Sequence, residues 1–321
     1  MTMTCRLCGA RDPEVVVTVH EMMFGRRDSF EYFQCGRCGT LQIADAPSDL
    51  SLYYPHDYYS LADAEGKRSY IALRIRRLRD TYAVYSEGLL GRLLYRRHPN
   101  PALRSLARVR VDENSRILDV GCGAGTLLRK LYELGVSQVS GIDPYVQNDV
   151  RYGDMTLVRK QTLDETDGTW DVIMLHHVFE HLTDPEGAIK KIGTLLARDG
   201  VCIIRSPAVP CQAWTEYGVD WVQIDAPRHI CIPSRMGLEA AAKNGGMRLT
   251  DSYRDSTAFQ FWGSELYRAG IPLREAQPGR EGSSGLSAHF SKRQIRAFER
   301  RAALLNAQGS GDQAVYYLKR A

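Results

Sequence analysis

The sequence predicts an α/β protein: a doubly wound parallel sheet, preceded by a cysteine-bearing ribbon and a basic helical arm. Three observations carry that prediction. From Asn114 onward, short apolar strands alternate with helical patterns, the order that gives a mostly parallel sheet with helices on both faces. At Ile117–Gly125 a short apolar run ends in Gly-Cys-Gly-Ala-Gly, so a buried strand turns sharply into a helix near Thr126. Before the core stand two Cys-x-x-Cys pairs and then an arginine-crowded stretch. The expected division is 1–62 for the ribbon and a Tyr-rich segment, 63–112 for the arm and 113–321 for the core, with an insertion at about 255–290.

Bulk properties bound the answer. A chain of 321 residues exceeds one typical domain, and 44% hydrophobic with 25% charged residues is ordinary for a globular protein with a sizeable core. A net charge of +4 is too mild to mark a nucleic-acid binder by itself. No apolar run approaches the length of a membrane span, and Met1–Cys5 lacks the apolar core of a signal peptide, so a cytoplasmic location is expected. There the eight cysteines should be reduced or metal-bound.

In the first module, Cys5, Cys8, Cys35 and Cys38 form two knuckles that can place four thiolates tetrahedrally around a structural Zn²⁺. Gly9 and Gly39 follow the knuckles and allow turns that aim backbone N–H groups at the sulfurs. Val15–Val19 and Phe30–Phe33 read as strands between them. A redox Cys-x-x-Cys is the rival reading, and the doubled spacing opposes it. Four cysteine ligands close the coordination sphere, so the metal should not be catalytic. Tyr53, Tyr54, Tyr58 and Tyr59 follow, suited either to packing or to a lid over a ligand.

Glu65–His98 has mostly helical apolar spacing, crowded by Arg74, Arg76, Arg77, Arg79, Arg92, Arg96 and Arg97, and Pro99 and Pro101 end it. Such a run is a solvated basic face, an anion site for a diphosphate-linked substrate or anionic membrane surface, or an RNA-binding face.

In the core, Asp143 ends the second strand, where a ribose-binding carboxylate belongs in a nucleotide-binding unit. Leu157-Val158 reads as the third strand. Asp171 opens the fourth, and His176 and His177 fall at its carboxyl end, where open α/β sheets hold ligands. Asp184 should cap the next helix with Pro185 at its first position and Gly200 at its end. Gly200–Pro207 is the fifth strand, Met247–Tyr253 the sixth and Val315–Lys319 the last, with Ser234 and Ser291 capping the helices between.

The Gly-x-Gly-x-Gly spacing after Asp119 is not that of dinucleotide dehydrogenases. It resembles the first motif of class I S-adenosylmethionine-dependent methyltransferases, and Glu180-His181-Leu182 with Asp184-Pro185 looks like their post-strand motif. With the cysteine knuckles and tyrosines, the chain resembles bacterial zinc-ribbon methyltransferases acting on sugars and other small metabolites. The resemblance implies a seven-stranded Rossmann-like sheet with an antiparallel last strand. It places S-adenosylmethionine on Asp119, Gly121, Gly123, Gly125, Asp143 and Pro144, with Leu163 near adenine and His176 at cofactor or substrate. It implies a lid from the tyrosines, and it sets His229, five residues before Ser234, over the transferred methyl group. Related sugar C-methyltransferases carry His-Glu-His there, where this chain has Pro227-Arg228-His229, so the reaction type stays open between O- and C-methylation.

A neutral histidine suits deprotonation of a weakly acidic acceptor at cellular pH, which makes His229 the expected general base, with His176 and His181 as further candidates. The expected partner is a small molecule, a sugar nucleotide or lipid-linked glycan, with peripheral membrane contact allowed. RNA methylation is the rival reading, weakened because His176-His177-Val178 stands where base N-methylases carry an Asn/Asp-Pro-Pro-aromatic motif. A non-catalytic binding module would require the cofactor motif to be vestigial.

Overall fold

The computed structural model describes residues 3–54, 70–276 and 285–321. At the N-terminus, β1 (Pro13–His20), β2 (Ser29–Cys35) and β3 (Leu41–Ile43) form an antiparallel meander. The arm folds as α1 (Tyr70–Tyr85) and α2 (Leu89–Arg97), followed by the short α3 (Pro101–Arg104), capped by Asn100.

The core runs β4 (Ile117–Val120), α4 (Thr126–Leu134), β5 (Val139–Ile142), β6 (Val150–Tyr152), β7 (Met155–Arg159) and β8 (Trp170–His176). It continues through α5 (Pro185–Leu195), β9 (Leu196–Pro207), α6 (Gln212–Tyr217), β10 (Cys231–Ile232), α7 (Arg235–Asn244) and β11 (Met247–Arg254). The chain closes with α8 (Phe259–Arg268), α9 (Lys292–Ala307) and β12 (Gln313–Arg320). The large sheet has the order β11-β12-β9-β8-β4-β5-β7-β6. Strands β7, β5, β4, β8 and β9 are parallel, while β12 enters antiparallel between β9 and β11. This is the expected sheet with one strand more than seven: β6 hairpins onto β7 at the edge, too short and polar to announce itself in the sequence.

Caps form where side-chain chemistry demanded them. Gly187 N donates to Asp184 Oδ1 at 2.9 Å, Gly237 N donates to Ser234 Oγ at 2.9 Å, and Ser291 with Gln294 makes a full capping box. One stop is misread: α5 ends at Leu195 rather than Gly200, because Leu196 already turns into β9, and Gly200 lies inside that strand. Phe259–Tyr267, unassigned from its sequence, is helical.

The ribbon has no separate core. Cys5, Leu7, Cys35 and Cys38 share one apolar cluster with Leu118, Val120, Ile173 and Leu238. Strand β10, from the segment carrying His229, pairs with β3 through Leu41–Ile232 and Gln42–Cys231. That pairing binds the N-terminal meander to the edge of the candidate site.

Candidate functional site

The four cysteines converge, their Sγ atoms all within 4.8 Å of one another, with Cys5–Cys38 and Cys8–Cys35 at 3.6 Å. A tetrahedral site with Zn–S near 2.3 Å needs edges of about 3.8 Å, so this donor set fits zinc. Without a cation, two of the thiols resist ionisation. Contact with Cys38, then burial, pushes the Cys5 thiol up to about 12, and burial pushes Cys8 up to about 11. A bound divalent ion reverses that preference. In the first knuckle the turn does aim backbone N–H groups at sulfur, those of Leu7 and Cys8 at Cys5 and that of Ala10 at Cys8, while Gly9 N donates to Cys5 O and Gly39 N to Cys35 O.

At the carboxyl edge of the large sheet, the glycine turn follows β4. Gly121 (φ 66°) and Gly125 (φ 73°) take left-handed backbone, and a Cβ on either would meet Val178 Cγ2 at 2.5 Å or Val158 Cγ2 at 2.7 Å. Here glycine is required both by conformation and by space. Gly123 N donates to Asp143 Oδ2 at 2.8 Å and Tyr145 N to Asp143 Oδ1 at 2.9 Å, so Asp143 closes the turn from the neighbouring strand. Asp119 is buried in β4, and burial together with Asp143 pushes its carboxyl up to about 8. Pro144 is exposed just beyond Asp143, and Leu163 packs partly buried on the core cluster.

His176 ends β8 beside the glycine turn. Both of its ring nitrogens are buried without a hydrogen-bond partner among the described residues. Burial, with Arg205 and His177 adding to it, pushes its pKa down to about 3, so the ring is neutral.

His181 and His229 meet edge to face, with ring centroids 4.8 Å apart. His229 Nδ1 lies 2.7 Å from Gln223 O, and His181 Nδ1 2.9 Å from Arg228 O. A carbonyl only accepts, so each Nδ1 carries the hydrogen and each Nε2 keeps its lone pair. His229 Nε2 is 3.9 Å from Asp225 Oδ2, and Tyr32 Oη donates to His229 O at 2.8 Å. Burial and His229 push His181 down to about 4, against the opposing pull of Glu180.

The tyrosines divide. Tyr54 Oη lies 3.0 Å from His181 Nδ1, and its ring stacks on exposed Tyr145 at 6.4 Å. Tyr53 turns away, donating to Asp28 Oδ2 at 3.0 Å and packing edge-on to Phe30. Tyr58 and Tyr59 lie outside the described residues.

Several functional groups carried no assigned role in the sequence. Arg228 is fully buried, paired with Asp225 at 2.6 Å and with Glu21 of the β1–β2 loop at 3.2 Å. His177, at φ 56°, lies between Glu180 and Arg205: Arg205 Nη1 donates to its Nε2 at 2.6 Å, and its Nδ1 donates to Glu180 Oε1 at 3.1 Å. Asp225 lies one helical turn before His229, a spacing that could have been read; the Glu21–Arg228 contact has no local signal.

Residues 93–252 match a family described as "Methyltransferase domain". Among curated relatives, ubiquinone biosynthesis O-methyltransferase of Maricaulis maris (strain MCS10) is 26% identical over 167 residues, 45% of this chain and 63% of that protein. The protein of the same name from Bradyrhizobium sp. (strain ORS 278) is 32% identical over 98 residues, 28% of this chain and 38% of that one. The chain thus spans less than two thirds of the length of these relatives. Among solved structures, geranyl diphosphate C-methyltransferase from Streptomyces coelicolor A3(2) is 16% identical, covering 83% of this chain and 89% of that one with a TM-score of 0.44.

Proposed function

The chain carries a methyltransferase domain, and from that premise we propose that it is an S-adenosylmethionine-dependent methyltransferase acting on a small-molecule acceptor. The acceptor class is a nucleotide-linked sugar, a glycan or a related natural product. The relatives' name favours transfer to oxygen. The observation that carries this reading is convergence at one sheet edge of the glycine turn, Asp143, the unpartnered His176 and the His181–His229 pair.

S-adenosylmethionine fits these residues. Asp143 spends one lone pair per oxygen on Gly123 and Tyr145 and retains capacity for ribose hydroxyls. His176 offers a donor and an acceptor that nothing else among the described residues uses. When bound, the cofactor supplies an electrophilic methyl group on a sulfonium. The protein's own work is alignment, exclusion of water and removal of the acceptor's proton. His229 is the general base in this reading, because its hydrogen is committed to Gln223 O and its Nε2 lone pair is available. Tyr54, held by His181 and stacked on Tyr145, closes one side.

His229→Ala should lower turnover by roughly two to four orders of magnitude, with affinity for S-adenosylhomocysteine unchanged by calorimetry. Full turnover in that variant removes the base assignment. A panel of sugar nucleotides and phenolic acceptors, followed by product mass spectrometry, identifies the acceptor atom. RNA methylation is the second reading, favoured by one observation: Arg74, Arg77, Arg92, Arg96 and Arg97 are exposed on α1 and α2.

A further inference from the structure

We infer that Glu180 is a positioning residue for His229: its carboxylate, held beside the histidine pair, stabilises the imidazolium formed when His229 takes the acceptor's proton. This rests on the base reading above. Glu180 has no exposed surface, and only one of its oxygens is satisfied. Its Oε2 is buried with no partner among the described residues. One carboxylate oxygen of Glu180, one nitrogen of His181 and one of His229 all lie within 4.8 Å of one another.

Both imidazoles have committed their Nδ1 hydrogens to backbone carbonyls, so the neutral rings have no hydrogen left to give the Glu180 carboxylate gathered with them in buried space. Such a cluster is short of one positive hydrogen. An unsatisfied buried carboxylate oxygen is costly, and a cation at the centre relieves it. The methyl-transfer step provides one. The acceptor's O–H or C–H bond breaks, its electron pair attacks the methyl carbon, the carbon–sulfur bond breaks toward sulfur, and the proton moves to His229 Nε2.

A chain of hydrogen bonds holds Glu180 in this role. Gln313 Nε2 donates to Asp255 Oδ1 at 2.8 Å, and Arg205 Nε donates to Asp255 Oδ2 at 2.6 Å. Arg205 then donates to His177, and His177 to Glu180 Oε1. His177 sits in left-handed backbone, uncommon without glycine, to bridge them. The other charged groups around His229 are already engaged. Asp225 is bidentate to Arg228, Arg228 also pairs with Glu21, Arg205 pairs with Asp255, and Tyr54 faces His181. Burial alone would raise the Glu180 carboxyl, yet the hydrogen bond from His177, with His181 and His229 close by, holds it down to about 2, so it is an anion.

The test is the pH profile of kcat/KM for wild type and Glu180→Gln, with the His229 ring pKa from NMR of histidine-labelled protein. Loss of the carboxylate should move the acid limb and the ring pKa down by about one unit or more. Plateau kcat should fall tenfold or more, with KM and S-adenosylhomocysteine affinity held. His177→Asn tolerates the left-handed backbone but cannot bridge Arg205 to Glu180, and should shift the limb the same way by less. An unmoved limb and ring pKa in a folded, cofactor-binding Glu180→Gln protein would overturn the inference. So would chelation that abolishes wild-type activity and Mn²⁺ that restores it while the cysteine-bound metal stays in place, since Glu180 would then hold a cation. If His229→Ala retains full turnover, the base reading itself has failed; if it does not, an unshifted Glu180→Gln isolates the failure to Glu180.

Discussion

Asp119 and Asp143 are buried carboxylates at neighbouring strands. Asp143 is an acceptor for two backbone N–H groups, whereas Asp119 is pushed up to about 8 by burial and by Asp143 itself. The folded chain therefore holds a proton on Asp119 at neutral pH that an unfolded chain, with a carboxyl near 4, releases. The stability tied to that proton is fully present below about pH 4 and is lost as pH rises toward 8. Thermal melts of the cofactor-free protein from pH 5 to 8.5 should show Asp119→Asn gaining on wild type as pH rises. Parallel curves would mean that Asp119 is already ionised in the folded chain. At this scale the sequence is legible where chemistry is local: the knuckle cysteines and the glycine turn declare themselves by spacing. The protonation of Asp119 is not, since it depends on a carboxylate delivered by β4–β5 pairing. Nor is the role of Glu180, because only the fold-back of the 225–229 loop sets His229 beside it.

Elements are legible in the sequence where periodicity and caps agree, and less so where the chain breaks without proline. The arm looks continuous from Glu65 to His98, but Ser86 (φ 63°) and Gly88 (φ 86°) interrupt it, and α1 and α2 fold into a pair. The arginines that looked equivalent in sequence are then sorted. Arg76 is buried against Glu133 of α4 at 2.8 Å and ties the arm down, whereas Arg79 pairs with its own neighbour Asp80 within α1 at 2.7 Å. Arg92, Arg96 and Arg97 face solvent, alongside exposed Leu89, Leu90 and Leu93. If the arm is a solvated face, replacing Arg92, Arg96 and Arg97 by Gln leaves small-molecule turnover within about twofold, as surface changes away from a site usually do. Wild type should then elute from immobilised RNA at low salt. Retention that falls log-linearly with salt, and weakens in the triple variant, would favour the RNA reading instead.

For the whole molecule, the question is whether the cysteine ribbon is an appendage or part of the site. Among the described residues it is tied to the site at several points. Strand β10 pairs with β3, Tyr32 of β2 donates to His229 O, and Glu21 pairs with Arg228. Ser234 Oγ, which caps α7, also donates to Cys38 O of the second knuckle. The cysteines share their apolar cluster with β4 and β8. Metal at the four sulfurs should therefore stabilise the entire fold and hold His229 in register, without touching substrate. Fresh protein should contain one zinc per chain by elemental analysis. Stripping it, or making Cys8→Ser, should cost about 4 kcal/mol or more, roughly 10 °C, in one cooperative melting transition. Turnover should fall together with the melting temperature, and zinc should restore both in the stripped wild type. Two separate transitions, with the upper one and turnover unchanged, would make the ribbon an independent module and would leave the β3–β10 pairing without consequence for catalysis.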